Sequence, residues 1–271
     1  MIELNRIYNE DCLEGMKRIP DGSVDLTVTS PPYDNIRNYK GYSFDFASIA
    51  KERYRITKQG GVVVWVVGDQ TIQGSETGTS FKQALYFKEI GFNLHDTMIY
   101  EKNSMSMPDS TRYYQKFEYM FVFSKGKPKT FNPLKDRKNL AERWSTKKTR
   151  YDKDGNIVES ERSLEKEDYG VRFNIWKYNT GAGFTSKDNL KHPAMFPEEL
   201  AQDHILSWSN KKDLVFDPFM GSGTTAKMAI MNDRNWLGFE ISEEYCEMIK
   251  KRVNGLYPQD DIFDFMEEKK G

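Results

Sequence analysis

Cysteine is nearly absent from this 271-residue chain, with Cys12 and Cys246 the only two. Two cysteines cannot build a disulfide framework, and no Cys-x-x-Cys pair is present, which fits a reducing compartment. Histidine is as scarce. His95, His192 and His204 do not pair at metal-ligand spacing, so no metal site is expected. Long hydrophobic runs are missing too: the longest, Val62 to Val67, is far too short to span a bilayer. The opening Met1-Ile2-Glu3-Leu4-Asn5-Arg6 has no apolar stretch behind a basic start, so no secretory signal is expected. These absences point to a soluble cytoplasmic protein with no membrane partner.

Net charge is also nearly absent, at −1, but the charges are unevenly spread. Ten Lys/Arg and two Asp/Glu fall between Lys125 and Arg150, and Tyr151 to Asp168 is net acidic. A hydrophobic content of 38% with 14% aromatics suffices for a globular core. Val24 to Thr29 reads as a short strand, and Val62 to Val67 as one buried on both faces. Leu214 to Phe216 and Trp236 to Phe239 read as two more. Helical stretches cover Cys12 to Ile19, Phe81 to Ile90, Pro197 to Ser209, Thr224 to Met231 and Glu243 to Val253. This alternation implies an α/β fold with a mainly parallel sheet. His95 to Tyr100 and Phe117 to Phe123, with no helix between them, imply an antiparallel pair at a sheet edge. The polar stretch after Lys125 breaks the rhythm, with Asp154-Gly155 as a turn.

Leu214 to Ala226 reads as a strand, a glycine-rich turn and a helix start. Gly221 and Gly223 remove side chains where backbone must approach a ligand, and Thr224 can cap the helix. Gly223-Thr224-Thr225 lacks the lysine of a phosphate-binding P-loop. Gly221-x-Gly223-x-x-Ala226, with Glu240 at the next strand end, fits a dinucleotide fingerprint. The same geometry fits an adenosyl cofactor without a pyrophosphate. Asp217 tilts the choice to the latter, because its charge would repel a pyrophosphate and could hold a cationic amino group. The loop alone does not decide the chemistry.

Thr29-Ser30-Pro31-Pro32-Tyr33 follows the strand from Val24, at the edge where a parallel sheet gathers its ligands. Two prolines make the turn rigid, fixing the Ser30 hydroxyl and the Pro31 carbonyl as acceptors. An exocyclic base amine offers two protons to such acceptors, and Tyr33 offers a face for a flipped base. Held so, the amine nitrogen frees its lone pair, and an aromatic face stabilises positive charge moving with a methyl group.

Together, Thr29 to Tyr33 and Asp217-Pro218-Phe219-Met220-Gly221-Ser222-Gly223-Thr224-Thr225 closely resemble the DNA amino-methyltransferases of cytosine N4 and adenine N6. The catalytic motif precedes the cofactor motif, as in that family's circularly permuted β group. The resemblance implies a Rossmann-like methyltransferase fold, S-adenosyl-L-methionine as donor and double-stranded DNA as partner. It implies catalytic roles for Ser30, Pro31, Pro32 and Tyr33. Asp11, Cys12, Phe196, Pro197, Asp217, Pro218, Phe219, Gly221, Ser222, Gly223, Thr224 and Glu240 would hold the donor. The catalytic domain would comprise residues 1–101 and 190–256, with an edge hairpin and target-recognition insertion at 102–189 and a tail at 257–271. Within that insertion Arg112, Lys135, Arg137, Lys138, Asn139, Arg143, Lys147, Lys148 and Arg150 are the candidates for contacting DNA. Ser30 in place of an acid, and Phe196 after His192-Pro193-Ala194, resemble the cytosine-N4 side. Adenine N6 is the alternative, and an RNA or protein amide a more distant one. A cognate restriction endonuclease, and a monomer or homodimer, are compatible with the resemblance.

Overall fold

The computed structural model describes residues 2–32, 44–103, 111–139, 147–161, 167–179 and 197–256. In chain order they form β1 (Arg6–Asn9), α1 (Cys12–Met16), β2 (Val24–Thr29), α2 (Phe46–Ile56), β3 (Thr57–Val67), the small hairpin of β4 (Thr71–Ile72) and β5 (Ser75–Glu76), and α3 (Thr79–Glu89). Next come β6 (Asn93–Lys102), β7 (Phe117–Ser124), β8 (Arg137–Lys138), β9 (Lys147–Tyr151), β10 (Ile157–Glu161), β11 (Tyr169–Gly170) and β12 (Ile175–Tyr178). The chain then runs through α4 (Glu198–Trp208), β13 (Leu214–Asp217), α5 (Thr224–Met231), β14 (Asn235–Glu240) and α6 (Glu243–Asn254). It divides into two compact units, Met1–Asn132 with Asn174–Gly271, and Pro133–Phe173.

The larger unit is built on one sheet with strand order β1-β14-β13-β2-β3-β7-β6-β12. Its first five strands are parallel to one another. Val62 to Val67 is fully buried in β3, between parallel β2 and antiparallel β7, which is why it reads as a continuous apolar run. The antiparallel pair seen in the sequence is β6 and β7. Beyond it lies a strand that the sequence did not reveal: β12 pairs parallel with β6, burying Trp176 and Tyr178. Four residues in a polar stretch are too few for periodicity to show.

Helix α2 was also hidden in the sequence. Ile49, Ala50, Arg53 and Ile56 form its buried stripe at helical spacing, but one member of the stripe is charged. Asp45 caps it, accepting from the Ser48 N–H at 3.1 Å. Arg53 is fully buried; its Nη1 donates to Thr27 Oγ1 at 2.7 Å and its guanidinium lies 4.7 Å from the Phe216 ring centroid. Burial pushes the Arg53 pKa down to about 10, against the opposing charge of Asp217.

In the smaller unit β9 and β10 form an antiparallel ribbon, and β8 and β11 a two-residue pair. The expected Asp154-Gly155 turn joins the ribbon, with Gly155 in the left-handed region at φ +82°. No described helix is long and apolar enough to cross a membrane, and no described group of three or more His, Cys, Asp or Glu could hold a metal.

Candidate active site

Parallel strands that lie side by side deliver their carboxyl ends to one edge. Along that edge of the larger unit, β1 leads to Asp11, β14 ends at Glu240, β13 ends at Asp217 and β2 leads to Ser30. Residues far apart in sequence, singled out by their chemistry or by the family resemblance, therefore share one edge.

The centre of the edge is a carboxylate knot. Asp217 is 1% exposed, and its Oδ1 accepts from Thr29 Oγ1 at 2.6 Å and from the Phe219 N–H at 3.0 Å. Its Oδ2 accepts from Thr225 Oγ1 at 2.8 Å. Burial raises the Asp217 pKa; the bonds from Thr29, Phe219 and Thr225 and the charge of Arg53 oppose that rise. One carboxylate thus fastens the last residue before Ser30 to both ends of the glycine turn. Neither Thr29 nor Thr225 was marked as a site residue, and the pair of threonines closing the glycine motif was the available signal.

The turn itself is left-handed at Gly221 (φ +53°) and Gly223 (φ +78°). A Cβ on Gly223 would meet Ile249 at 3.0 Å. Gly223, not Thr224, is the N-cap of α5; no side chain caps the helix and no acid stands in its first turn. Thr224 is instead the first helical residue, with its Oγ1 3.2 Å from Ser222 Oγ. An uncapped helix start behind a glycine turn presents backbone N–H groups and the positive end of the helix dipole. That donor set fits a ligand carboxylate.

Glu240 stands half-buried beside the turn. Its Oε2 accepts from the Gly221 N–H at 2.9 Å and its Oε1 from the Ser242 N–H at 2.9 Å. Burial raises its pKa, the two N–H bonds lower it, and the nearby charge of Asp217 raises it further. Asp11 is exposed and caps α1, accepting from the Leu13 N–H at 2.8 Å. Cys12 is buried behind it, and burial with the Asp11 charge pushes its thiol up to about 12. Pro218 is buried, and Phe219 packs edge-on to Phe44 at 5.7 Å. On the far side of the turn, Arg252 Nη1 donates to the Ser222 carbonyl at 2.5 Å and its Nη2 to Glu198 Oε1 at 2.5 Å. Lys227 Nζ reaches both Glu198 oxygens at 2.8 Å, so α4, α5 and α6 grip the turn together. That grip had no signature in the sequence, since its members are dispersed over 198–252.

Ser30 is half-buried and Pro31 buried, and no hydrogen bond within the described residues engages the Ser30 hydroxyl. Pro197 is buried and forms the N-cap of α4. Tyr33, Phe196 and Arg143 lie outside the described residues, and Lys147, Lys148 and Arg150 are described only as backbone of β9. Arg112 belongs to the larger unit, where it donates to the Gly74 carbonyl. In the smaller unit Lys135 pairs with Glu167 at 2.8 Å, Asn139 donates to the Glu167 carbonyl at 2.8 Å, Arg137 Nε donates to the Val171 carbonyl at 3.0 Å and Lys138 is exposed.

The profile of the DNA methylases of N6/N4 type matches residues 24–251, a span that includes the Ser30 turn, the glycine turn and Glu240. The chain belongs to this DNA methylase family. It is 61% identical over 244 residues to the orphan methyltransferase M.BamHII of Bacillus amyloliquefaciens, covering 88% of this chain and 91% of that protein. To the type II methyltransferase M.BglII of Bacillus subtilis it is 27% identical over 261 residues, covering 93% of this chain and 69% of the relative. Among solved structures it resembles the cytosine-N4-specific PvuII DNA methyltransferase, with a TM-score of 0.68 at 22% identity over 95% of this chain and 89% of that one. It also resembles M1.HpyAVI in complex with SAM, with a TM-score of 0.60 at 25% identity over 92% of this chain and 98% of that one. The methylase fold, with its mainly parallel sheet and antiparallel pair, is thus common to this chain and the solved members. As a family member, the chain is a DNA methyltransferase acting on an exocyclic base amine.

Proposed function

We propose that this methylase transfers a methyl group from S-adenosylmethionine to N4 of cytosine, at a specific sequence in duplex DNA. The observation that carries the reading is the fastening of the Ser30 turn to the glycine turn through Thr29 and Asp217. It brings a rigid pair of amine acceptors beside a carboxylate-binding turn, as a reaction between a base amine and a methyl donor requires. The donor supplies an electrophilic methyl group on a sulfonium. The uncapped start of α5 receives the donor's carboxylate, and Glu240 accepts from its ribose hydroxyls. Asp11, Cys12, Phe196 and Pro197 flank it. Asp217, buried and holding three chain donors, acts chiefly by keeping the two turns in register.

On the base side, the Ser30 hydroxyl and the Pro31 carbonyl accept the amine protons, and Tyr33 stacks on the extruded ring. With the donor bound, the amine nitrogen would form a bond to the methyl carbon as the carbon–sulfur bond breaks, its electron pair staying on sulfur as a neutral thioether, and one amine proton would pass to solvent. The choice of cytosine rests on serine at position 30, because the PvuII likeness at 22% identity carries only the fold. The test is transfer of labelled methyl to duplex DNA, followed by digestion to nucleosides and chromatography. N4-methylcytosine is the expected product. N6-methyladenine would reassign the base, and label appearing only in RNA or protein would overturn the reading.

A further inference from the structure

One cation of the smaller unit is held in a way its neighbours are not. Lys135 is neutralised by Glu167 and Arg172 by Asp136. Arg137 has no carboxylate partner among the described residues, and three neutral features fix its guanidinium instead. Its Nε donates to the Val171 carbonyl at 3.0 Å, and its Cζ lies 4.8 Å from the Phe173 ring centroid. Gly170, its partner across the β8–β11 pair, leaves room for it, and a Cβ there would collide with Nη2 and also meet Asn139 Oδ1 at 2.9 Å. Among the described residues Nη1 and Nη2 make no hydrogen bond, and neither is a buried atom.

Here one N–H bond and one ring fix the plane, while the two terminal nitrogens are left as a parallel pair of donors. Such a fork matches two acceptors in one plane, and O6 and N7 of guanine are such a pair in the major groove. Fixing the fork beforehand lowers the entropy cost of using it. The exposed side chain of Phe173 stands beside it, an apolar flank of the kind that excludes water from a base contact.

We infer that Arg137 is a specificity-determining residue that reads one guanine of the recognition sequence through Nη1 and Nη2. This rests on the chain being a sequence-specific DNA methylase, as proposed above.

Expression of the full chain in cells, with genome-wide mapping of modified bases, tests it. Sites methylated by the wild type should share an invariant guanine. In Arg137→Lys, which keeps the charge but loses the planar fork, one such position should admit other bases, with discrimination there reduced about 5- to 150-fold. Gly170→Ala leaves Arg137 in the chain but displaces its guanidinium, and should relax the same position. In vitro, 7-deazaguanine at that position should slow the wild type more than Arg137→Lys, which can make at most a single-point contact there. If either variant methylates an unchanged set of sites, at an unchanged or a uniformly lower rate, Arg137 contacts a phosphate or nothing, and the inference is wrong. Wild-type sites without an invariant guanine would also overturn it. A wild type that methylates no DNA brings down the proposed function itself, whereas methylation with unaltered preference in both variants brings down this inference alone.

Discussion

Thr29 Oγ1 donates to Asp217 Oδ1 at 2.6 Å, joining two strand ends that are 188 residues apart in the chain. Both groups are buried, and the bond connects the turn holding Ser30 to the turn holding Gly221 and Gly223.

Replacing Thr29 with valine keeps the shape and removes the donor, leaving a buried carboxylate one bond short. Stability should fall by about 1–3 kcal/mol, the cost of an unsatisfied buried group. Thermal or denaturant unfolding reads that loss, and methyl transfer should fall with it because the two turns lose register. Unchanged stability would remove the knot from the account of the site.

Gly223 is left-handed and faces Ile249, so Gly223→Ala meets both a conformational penalty and a close contact. A cost of about 1–3 kcal/mol is expected. Calorimetry should show donor affinity reduced more than tenfold. Gly155→Ala, in a turn with open space around it, provides the contrast: the same backbone strain with no effect on donor binding.

Neither cysteine should react in the native protein. Burial pushes Cys12 up to about 12 and Cys246 up to about 11, the first helped by the charge of Asp11 and the second by that of Glu240. Both are therefore buried thiols at neutral pH. Mass spectrometry after iodoacetamide at pH 8 should find both unmodified in the native state and both alkylated in denaturant. Loss of activity through native-state alkylation of Cys12 would contradict this.

Acid should loosen the grip on the glycine turn. Burial pushes the Glu198 pKa up, but the bonds from Lys227 and Arg252 outweigh it and the net shift is downward from 4.5. A depressed folded-state pKa means stability that is fully present above 4.5 and lost as pH falls through the lowered value. Stability measured from pH 7 downwards should decline below about 4.5 less steeply in Glu198→Gln than in the wild type. The variant should also be less stable at pH 7, because Arg252 loses its counter-charge.

Several features were legible in the sequence because they are local. The continuous Val62–Val67 run marked a strand covered on both faces, and Pro-Pro and Gly-x-Gly marked rigid and left-handed turns from backbone sterics alone. Ser30, Asp217 and Glu240 could be picked out because each follows or ends a strand, whereas Asp11 came only with the family resemblance. Helix α2 and strand β12 were not legible, one because a buried arginine interrupts its apolar stripe, the other because four residues hold too little pattern.

The sequence by itself determined the kinds of groups available: amine acceptors on a rigid turn, a glycine turn before a helix, an acid at a strand end. Only the tertiary structure decided which of them meet. Parallel pairing of β2 with β13, of β13 with β14 and of β14 with β1 sets distant segments side by side. Hydrogen bonds such as Thr29 to Asp217 or Arg252 to Ser222 then form between residues whose separation in sequence gives no sign of contact. Strand order is fixed by burial of whole faces and by the right-handed crossovers between parallel strands, which are properties of the assembled sheet. The same holds for Arg137: its type was visible in the sequence, but the setting of its guanidinium depends on Gly170, Val171 and Phe173 folding back beside it.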